Sequence, residues 1–186
     1  MFNIPNSLAF IRLLLAPVMF FFLVNQDASV FKDIHPSWLN YFAAFIFVVA
    51  SATDFFDGYI ARTFNQITTL GKILDPLADK MLTLAAFLGL MMIGSASAWA
   101  IFLIVTRELF ITGLRVSAVA EGLDISASWM GKVKTVVQMV AIGFLLMGWY
   151  GGTLLLWLAV ILTLYSGYEY VRDFFQKTSI HKVIKI

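Results

Sequence analysis

Apolar residues fall into six long runs separated by short polar stretches. They extend over about Leu8–Val24, about Leu39–Thr53, from around Asp75 to Gly94, from near Trp99 past Arg115, from after Gly131 to about Trp149, and over about Leu154–Val171. A helix of ~20 mostly apolar residues spans a bilayer, and the runs are close to that length. The pattern predicts an all-α polytopic membrane protein, a bundle of six transmembrane helices behind a short N-terminal surface segment. Pro5 and Asn6 are expected to turn the chain in that segment, Met1–Ser7. Arg12 is expected to snorkel to the headgroups, and Pro17 to kink the first helix. Polar loops are predicted at Gln26–Trp38 and Glu121–Ser128, tight turns at Ser95–Ser97 and Gly151–Gly152, and a basic tail from Arg172 to Ile186. There is no internal repeat, and residues 1–186 read as a single membrane domain.

Composition supports this reading. The chain is 61% hydrophobic and 13% charged, with a mean hydropathy of +0.88. A soluble domain of 186 residues cannot cover that much apolar surface. There is no cysteine, which excludes disulfides and thiolate metal sites. The net charge of +2 points to no nucleic-acid partner, but its distribution is informative. With both termini inside, Lys32 is the lone basic residue of the outer loops, so the positive-inside rule places both termini in the cytoplasm. Trp38, Trp99, Trp149 and Tyr150 fall near the expected interfaces, as amphipathic rings do.

The polar residues between the second and third runs carry the candidate chemistry. Asp54 and Asp57 are three apart, with Gly58 and Ala61 continuing that helical face; Gly71, Asp75 and Asp79 follow at intervals of four. Two helical faces, each with a pair of carboxylates, would converge if the connection folds back. Four converging anions repel unless cations or protons neutralise them. Oxygen-only ligands suit a hard divalent ion such as Mg²⁺ or Mn²⁺, and a pair of such ions can clamp a displacement at phosphorus. Gly58 and Ala61 leave room for a nucleotide against the backbone, and Arg62 can fork onto a phosphate. Taken singly, the aspartates have plainer readings, such as Asp75 as an N-cap ahead of Pro76.

The full spacing, D-x2-D-G-x2-A-R-x8-G-x3-D-x3-D, resembles the signature of the CDP-alcohol phosphotransferases. Asp54, Asp57, Gly58, Ala61, Arg62, Gly71, Asp75 and Asp79 occupy every fixed position. The resemblance implies that Asp54, Asp57 and Asp75 bind two divalent ions, with Asp79 near the second and acting as general base. It also implies that Gly58, Ala61, Arg62, Thr68 and Gly71 receive the nucleotide end of a CDP-linked lipid. The opening NIPNSLAFIR is similar to the family's first segment, which makes Asn6 a candidate contact as well.

A second cluster is basic. Arg107 and Arg115 are eight apart on the fourth run, followed by Lys132 and Lys134 at the start of the fifth. Ionisable residues inside an apolar run line a polar cavity by default, and cations beside a carboxylate site suggest an anionic acceptor. Snorkelling, topology signalling for Lys132 and Lys134, or an Arg107–Glu108 pair are the structural alternatives. Glu169 and Asp173 are expected at most to pair with Arg172 or another cation. The segments RELFITGLR and ASWMGKVKT resemble the branch of the family that transfers a phosphatidyl group from CDP-diacylglycerol to glycerol 3-phosphate. That branch implies an acceptor phosphate held by Arg107, Arg115, Lys132 and Lys134, a product phosphatidylglycerophosphate with CMP released, and a homodimer. Inositol phosphate would suit the basic cluster equally on charge, and a small cation transporter is the rival from another class. The N-terminus has no transit-like character, so the inner (plasma) membrane of a bacterium is the expected location, with the active site facing the cytoplasm.

Overall fold

The structure, a computed structural model, describes the backbone of residues 4–63, 69–120, 122 and 128–184, and side chains over 7–53, 77–119, 122 and 128–178. Among these residues all regular secondary structure is helical. Six α-helices follow in order: α1 (Ile4–Val24), α2 (Pro36–Thr63), α3 (Thr69–Met92), α4 (Ala98–Ala120), α5 (Trp129–Leu146) and α6 (Gly152–Ile184), with a 3-10 turn at Ser29–Phe31.

Several boundaries differ from the sequence expectation, each for a local reason. α1 begins at Ile4, so Pro5 and Asn6 lie in its first turn instead of turning the chain; a proline there lacks only an N–H that has no helical acceptor anyway. α2 continues ten residues past Thr53 to Thr63, so the first carboxylate pair rides on an uninterrupted 28-residue helix. α3 starts at Thr69, which puts Asp75 inside the helix and removes its reading as an N-cap. α6 reaches Ile184 and absorbs the expected tail. At 1.5 Å per residue its 33 residues extend about 50 Å, well beyond a hydrocarbon core of about 30 Å. α3 and α5 end alike. Gly94 (φ 73°) and Gly148 (φ 65°) take the left-handed conformation, and the following N–H reaches back to Leu90 O at 2.9 Å and to Phe144 O at 2.9 Å. This Schellman closure needs a residue without a Cβ penalty.

Among the described residues, α1, α2, α5 and α6 are long and apolar enough to cross a membrane. Every 18-residue stretch of α3 includes Asp75, Asp79 and Lys80, and every one of α4 includes Arg107, Glu108 and Arg115. The charges that set α3 and α4 apart are largely candidate site residues, and α2 and α5 carry the others. Large apolar side chains face outward, among them Phe45 (68% exposed), Leu109 (69%) and Ile161 (62%). Such faces suit lipid and would be liabilities in water. Trp38, Trp99, Trp149 and Tyr150 are all exposed at helix ends.

The chain divides into two compact units. One comprises Met1–Ala96 with Ile142–Tyr150, the other Ser97–Ala141 with Gly151–Ile186. In the first, α1 packs on α2 and α3 through a buried stripe at Ala9, Arg12, Ala16, Met19 and Leu23. That is the 3-and-4 spacing of one helix face. Alanines recur among the buried residues of the other two helices, Ala43, Ala44 and Ala50 on α2 and Ala78 and Ala86 on α3, which lets helices approach closely where lipid supplies no hydrophobic drive. A Cβ placed on Gly89 would lie 2.5 Å from Leu23 Cδ1. Arg12 lies fully buried in this stripe, so it does not snorkel as the sequence led us to expect.

In the second unit α4 packs on α6. Arg107 meets Ser166, Arg115 meets Tyr170, and Ala118 clusters with Phe174. The partners advance together, so these two helices run parallel.

Candidate active site

The carboxylate motif is carried by the C-terminal end of α2 and the first turns of α3, two helices that touch within one unit. The continuous helical backbone gives Asp54 and Asp57 an i, i+3 relation and Asp75 and Asp79 an i, i+4 relation. Each pair therefore shares a helix face by register. The side chains of Asn6, Asp54, Asp57, Gly58, Ala61, Arg62, Gly71 and Asp75 lie outside the described residues, as does Thr68 altogether. Asp79 is described: it is half-buried, and its backbone carbonyl accepts a hydrogen bond from Thr83 Oγ1 at 3.2 Å. Among the described residues no three acidic or imidazole groups cluster; three of the four motif aspartates are not among them. One observation bears on fit to a hard cation. Ser51 Oγ, one turn ahead of Asp54, is buried with no hydrogen-bond partner. Carboxylates and hydroxyls offer oxygen donors alone, the ligand chemistry that suits Mg²⁺ or Mn²⁺ and no softer ion.

The basic cluster belongs to the other unit. The Arg107 side chain is 11% exposed; its Nη2 donates to Ser166 Oγ at 2.9 Å and its Nη1 to Glu108 Oε1 at 3.4 Å. Buried Lys134 donates to the same Glu108 oxygen. Gln138, one turn on along α5, donates from Nε2 to Thr163 Oγ1 at 2.9 Å, and Ser166 Oγ donates to Thr163 O at 3.1 Å. Arg107, Glu108, Lys134, Gln138, Thr163 and Ser166 thus form one polar seam across three helices. Buried charges need such partners, since an unpaired charge in an apolar setting is expensive.

Of the four cations proposed for the acceptor, the structure draws Arg107 and Lys134 together through Glu108. Arg115 lies over the Tyr170 ring, its guanidinium carbon 5.8 Å from the centroid, and remains exposed, as does Lys132. The Arg107–Glu108 contact anticipated as a structural pair is present, but Lys134 completes it. Arg172 pairs with Asp173 at 3.2 Å, whereas Glu169 Oε2 is buried without a hydrogen-bond partner, so the expected Glu169–Arg172 pairing is not formed. The reading of the sequence missed Thr163, Ser166, Gly167 and Tyr170. Their spacing was the available signal: i, i+3, i+4 and i+7 within an apolar run places three polar-capable side chains and a glycine on one face.

Among the described residues, then, the structure is helical with four membrane-length apolar helices, and it carries the paired-carboxylate motif at helix ends in one unit and a buried polar seam with two cations in the other. The chain belongs to the CDP-alcohol phosphatidyltransferase family, whose family model matches residues 2–165. Among its relatives, the CDP-diacylglycerol–glycerol-3-phosphate 3-phosphatidyltransferase of Bacillus subtilis is 38% identical, over 91% of this chain and 94% of that protein. Proteins of the same name from Escherichia coli (38%, 91% and 93%) and Rickettsia felis (35%, 91% and 94%) are similar over the same extent.

Proposed function

We propose that this chain transfers a phosphatidyl group from CDP-diacylglycerol to glycerol 3-phosphate, giving phosphatidylglycerophosphate and CMP. The observation that carries the reading is the complete eight-position motif held on continuous helices at the end of α2 and the start of α3. The acceptor assignment is supported by the cationic seam of α4 and α5 and by the names of relatives that align over nearly the whole chain.

In this reading residues 1–186 act as one domain with six spans, both termini and the site face the cytoplasm of a bacterial inner membrane, and the protein is a homodimer. Asp54, Asp57, Asp75 and Asp79 would hold two divalent cations, Mg²⁺ or Mn²⁺, which neutralise the pyrophosphate and the developing charge at phosphorus. Asn6, Gly58, Ala61, Thr68 and Gly71 accommodate the nucleotide, and Arg62 pairs with its phosphate. Arg107, Arg115, Lys132 and Lys134 supply the positive field that captures the acceptor phosphate. Asp79 accepts the proton of the primary hydroxyl as that oxygen bonds to the phosphorus bearing diacylglycerol. The bond from that phosphorus to the CMP oxygen breaks, and CMP leaves toward Arg62.

The test is CMP release by the purified protein in lipid vesicles containing CDP-diacylglycerol, with glycerol 3-phosphate, inositol phosphate, glycerol and inositol offered in turn. Release with glycerol 3-phosphate, lost on chelation of divalent ions, is the expected outcome. Preference for inositol phosphate would move the acceptor assignment. Ion flux without CMP release would replace the enzyme by a transporter.

A further inference from the structure

α6 changes character halfway along its buried face. Leu156, Ala159 and Val160 are apolar; the next buried positions are Thr163 (0% exposed), Ser166 (1%), Gly167 and Tyr170 (5%). Both arginines of α4 end on this polar stretch. Ser166 donates its own proton to Thr163 O, 3.1 Å away, which leaves its lone pairs for Arg107 Nη2 at 2.9 Å. The hydroxyl is thus oriented as an acceptor before the guanidinium arrives. Beside it, a Cβ on Gly167 would stand 3.0 Å from Arg107 Nε and 3.2 Å from its Cγ, so the bare backbone there sets how closely the arginine lies against α6. One turn on, the Tyr170 ring receives the Arg115 guanidinium. The Tyr170 hydroxyl is buried and makes no hydrogen bond, so the tyrosine contributes its ring to that contact and not its polar end.

We propose that Ser166, Gly167 and Tyr170 of α6 are positioning residues, which fix Arg107 and Arg115 in the geometry that binds the acceptor's phosphate. The inference rests on the acceptor reading given above and adds to it the element that holds the arginines in place. A planar, delocalised cation on a flexible stem recognises phosphate well only when its rotamer is restrained. The competing account is that this stretch serves as interhelical glue alone. Glue affects stability, whereas a positioning element affects the KM for the phosphorylated acceptor at little change in kcat.

The experiment is steady-state CMP release by the full-length protein in vesicles, varying glycerol 3-phosphate and CDP-diacylglycerol separately, with thermal unfolding as control. Tyr170→Leu is expected to raise the KM for glycerol 3-phosphate about three- to tenfold, the range a partly desolvated cation–π contact supplies, with kcat and the KM for CDP-diacylglycerol nearly unchanged. Tyr170→Phe, which keeps the ring, should stay within about twofold of the parent. Arg115→Ala should raise the same KM, and Arg115→Ala with Tyr170→Leu should be no worse than Arg115→Ala alone. Should Tyr170→Leu fail to fold, Ser166→Ala serves instead, with an expected rise of about threefold that Ser166→Thr restores. An unchanged KM in Tyr170→Leu or in Ser166→Ala, beside a raised one in Arg115→Ala, overturns the positioning role and leaves the acceptor reading standing. Additive losses in the double variant, or a full loss in Tyr170→Phe, also overturn it. No KM change in either Arg115→Ala or Arg107→Ala removes the arginines from the acceptor's phosphate site, and the positioning role with it.

Discussion

The buried faces of α1 and α6 follow the same 3-and-4 rhythm and do different things with it. Along α1 the sequence of buried positions is Ala9, Arg12, Ala16, Met19 and Leu23, small or flexible apolar groups around a single charge. Along α6 it passes from Leu156, Ala159 and Val160 to Thr163, Ser166, Gly167 and Tyr170. The first is a packing surface, where alanines and Gly89 bring backbones together. The second is a hydrogen-bonded surface, where Thr163 and Ser166 are matched to neighbours because lipid offers none, and Tyr170 contributes its ring. The units that contain them divide the labour accordingly. The carboxylate motif sits toward the ends of α2 and α3, both of which pack on α1, and the continuous helical backbone sets the register of each pair. The basic residues sit within α4 and α5, where a network must keep several cations compatible with an apolar surrounding.

The sharpest test of that division is Asp79→Asn. If the chemistry resides in the carboxylate unit, the variant should lose on the order of 10²–10⁴ in kcat, the usual contribution of a general base, while thermal unfolding in detergent is little changed. Full CMP release by Asp79→Asn would remove Asp79 as the base. Next in size is Glu108→Ala in the other unit. It deprives Arg107 and Lys134 of their shared acceptor. Breaking a fully buried pair costs about 3–5 kcal/mol; with the Glu108 side chain 28% exposed, a loss of about 1–3 kcal/mol is expected. An unfolding midpoint that did not move would mean the network has no structural weight and the two units are more alike than their buried faces suggest.

Much of this was legible in the sequence, and the exceptions share a cause. The six apolar runs, the paired-carboxylate spacing and the interfacial aromatics follow from composition and period, which are local properties. Helix ends differ from the sequence expectation where polar residues continue a helix: α2 runs through Asp54 and Asp57, and α3 begins ahead of Asp75, because a charged side chain does not interrupt the backbone hydrogen bonds of a helix in progress. Arg12 was misread because snorkelling and burial are indistinguishable until neighbouring helices are placed. The α6 stripe was missed because Thr, Ser, Gly and Tyr raise no alarm singly in an apolar run; only the partners on α4 and α5 give the face its meaning. The roles proposed for Asn6, Arg62, Thr68 and the other residues assigned to the nucleotide rest on the family resemblance, since those side chains lie outside the described residues.

The smallest effects separate the two kinds of surface most cleanly, through the same substitution in each. Gly89→Ala puts a Cβ 2.5 Å from Leu23 Cδ1 and 3.0 Å from its Cβ. The leucine tip can turn aside but its Cβ cannot, so a stability loss of about 1–2 kcal/mol is expected, net of the helix-propensity gain of about 1 kcal/mol that alanine brings. Turnover should be nearly normal at a temperature where the protein stays folded. Gly167→Ala meets Arg107 Nε at 3.0 Å and Cγ at 3.2 Å, contacts that a shift of a few tenths of an ångström relieves. The propensity gain offsets the crowding, so unfolding should move by less than about 0.5 kcal/mol, while the displaced guanidinium raises the KM for glycerol 3-phosphate about twofold. Stability falls without KM in one case, and KM rises without stability in the other. The reverse assignment, with Gly167→Ala destabilising and kinetically silent, would make the α6 seam a packing surface like that of α1.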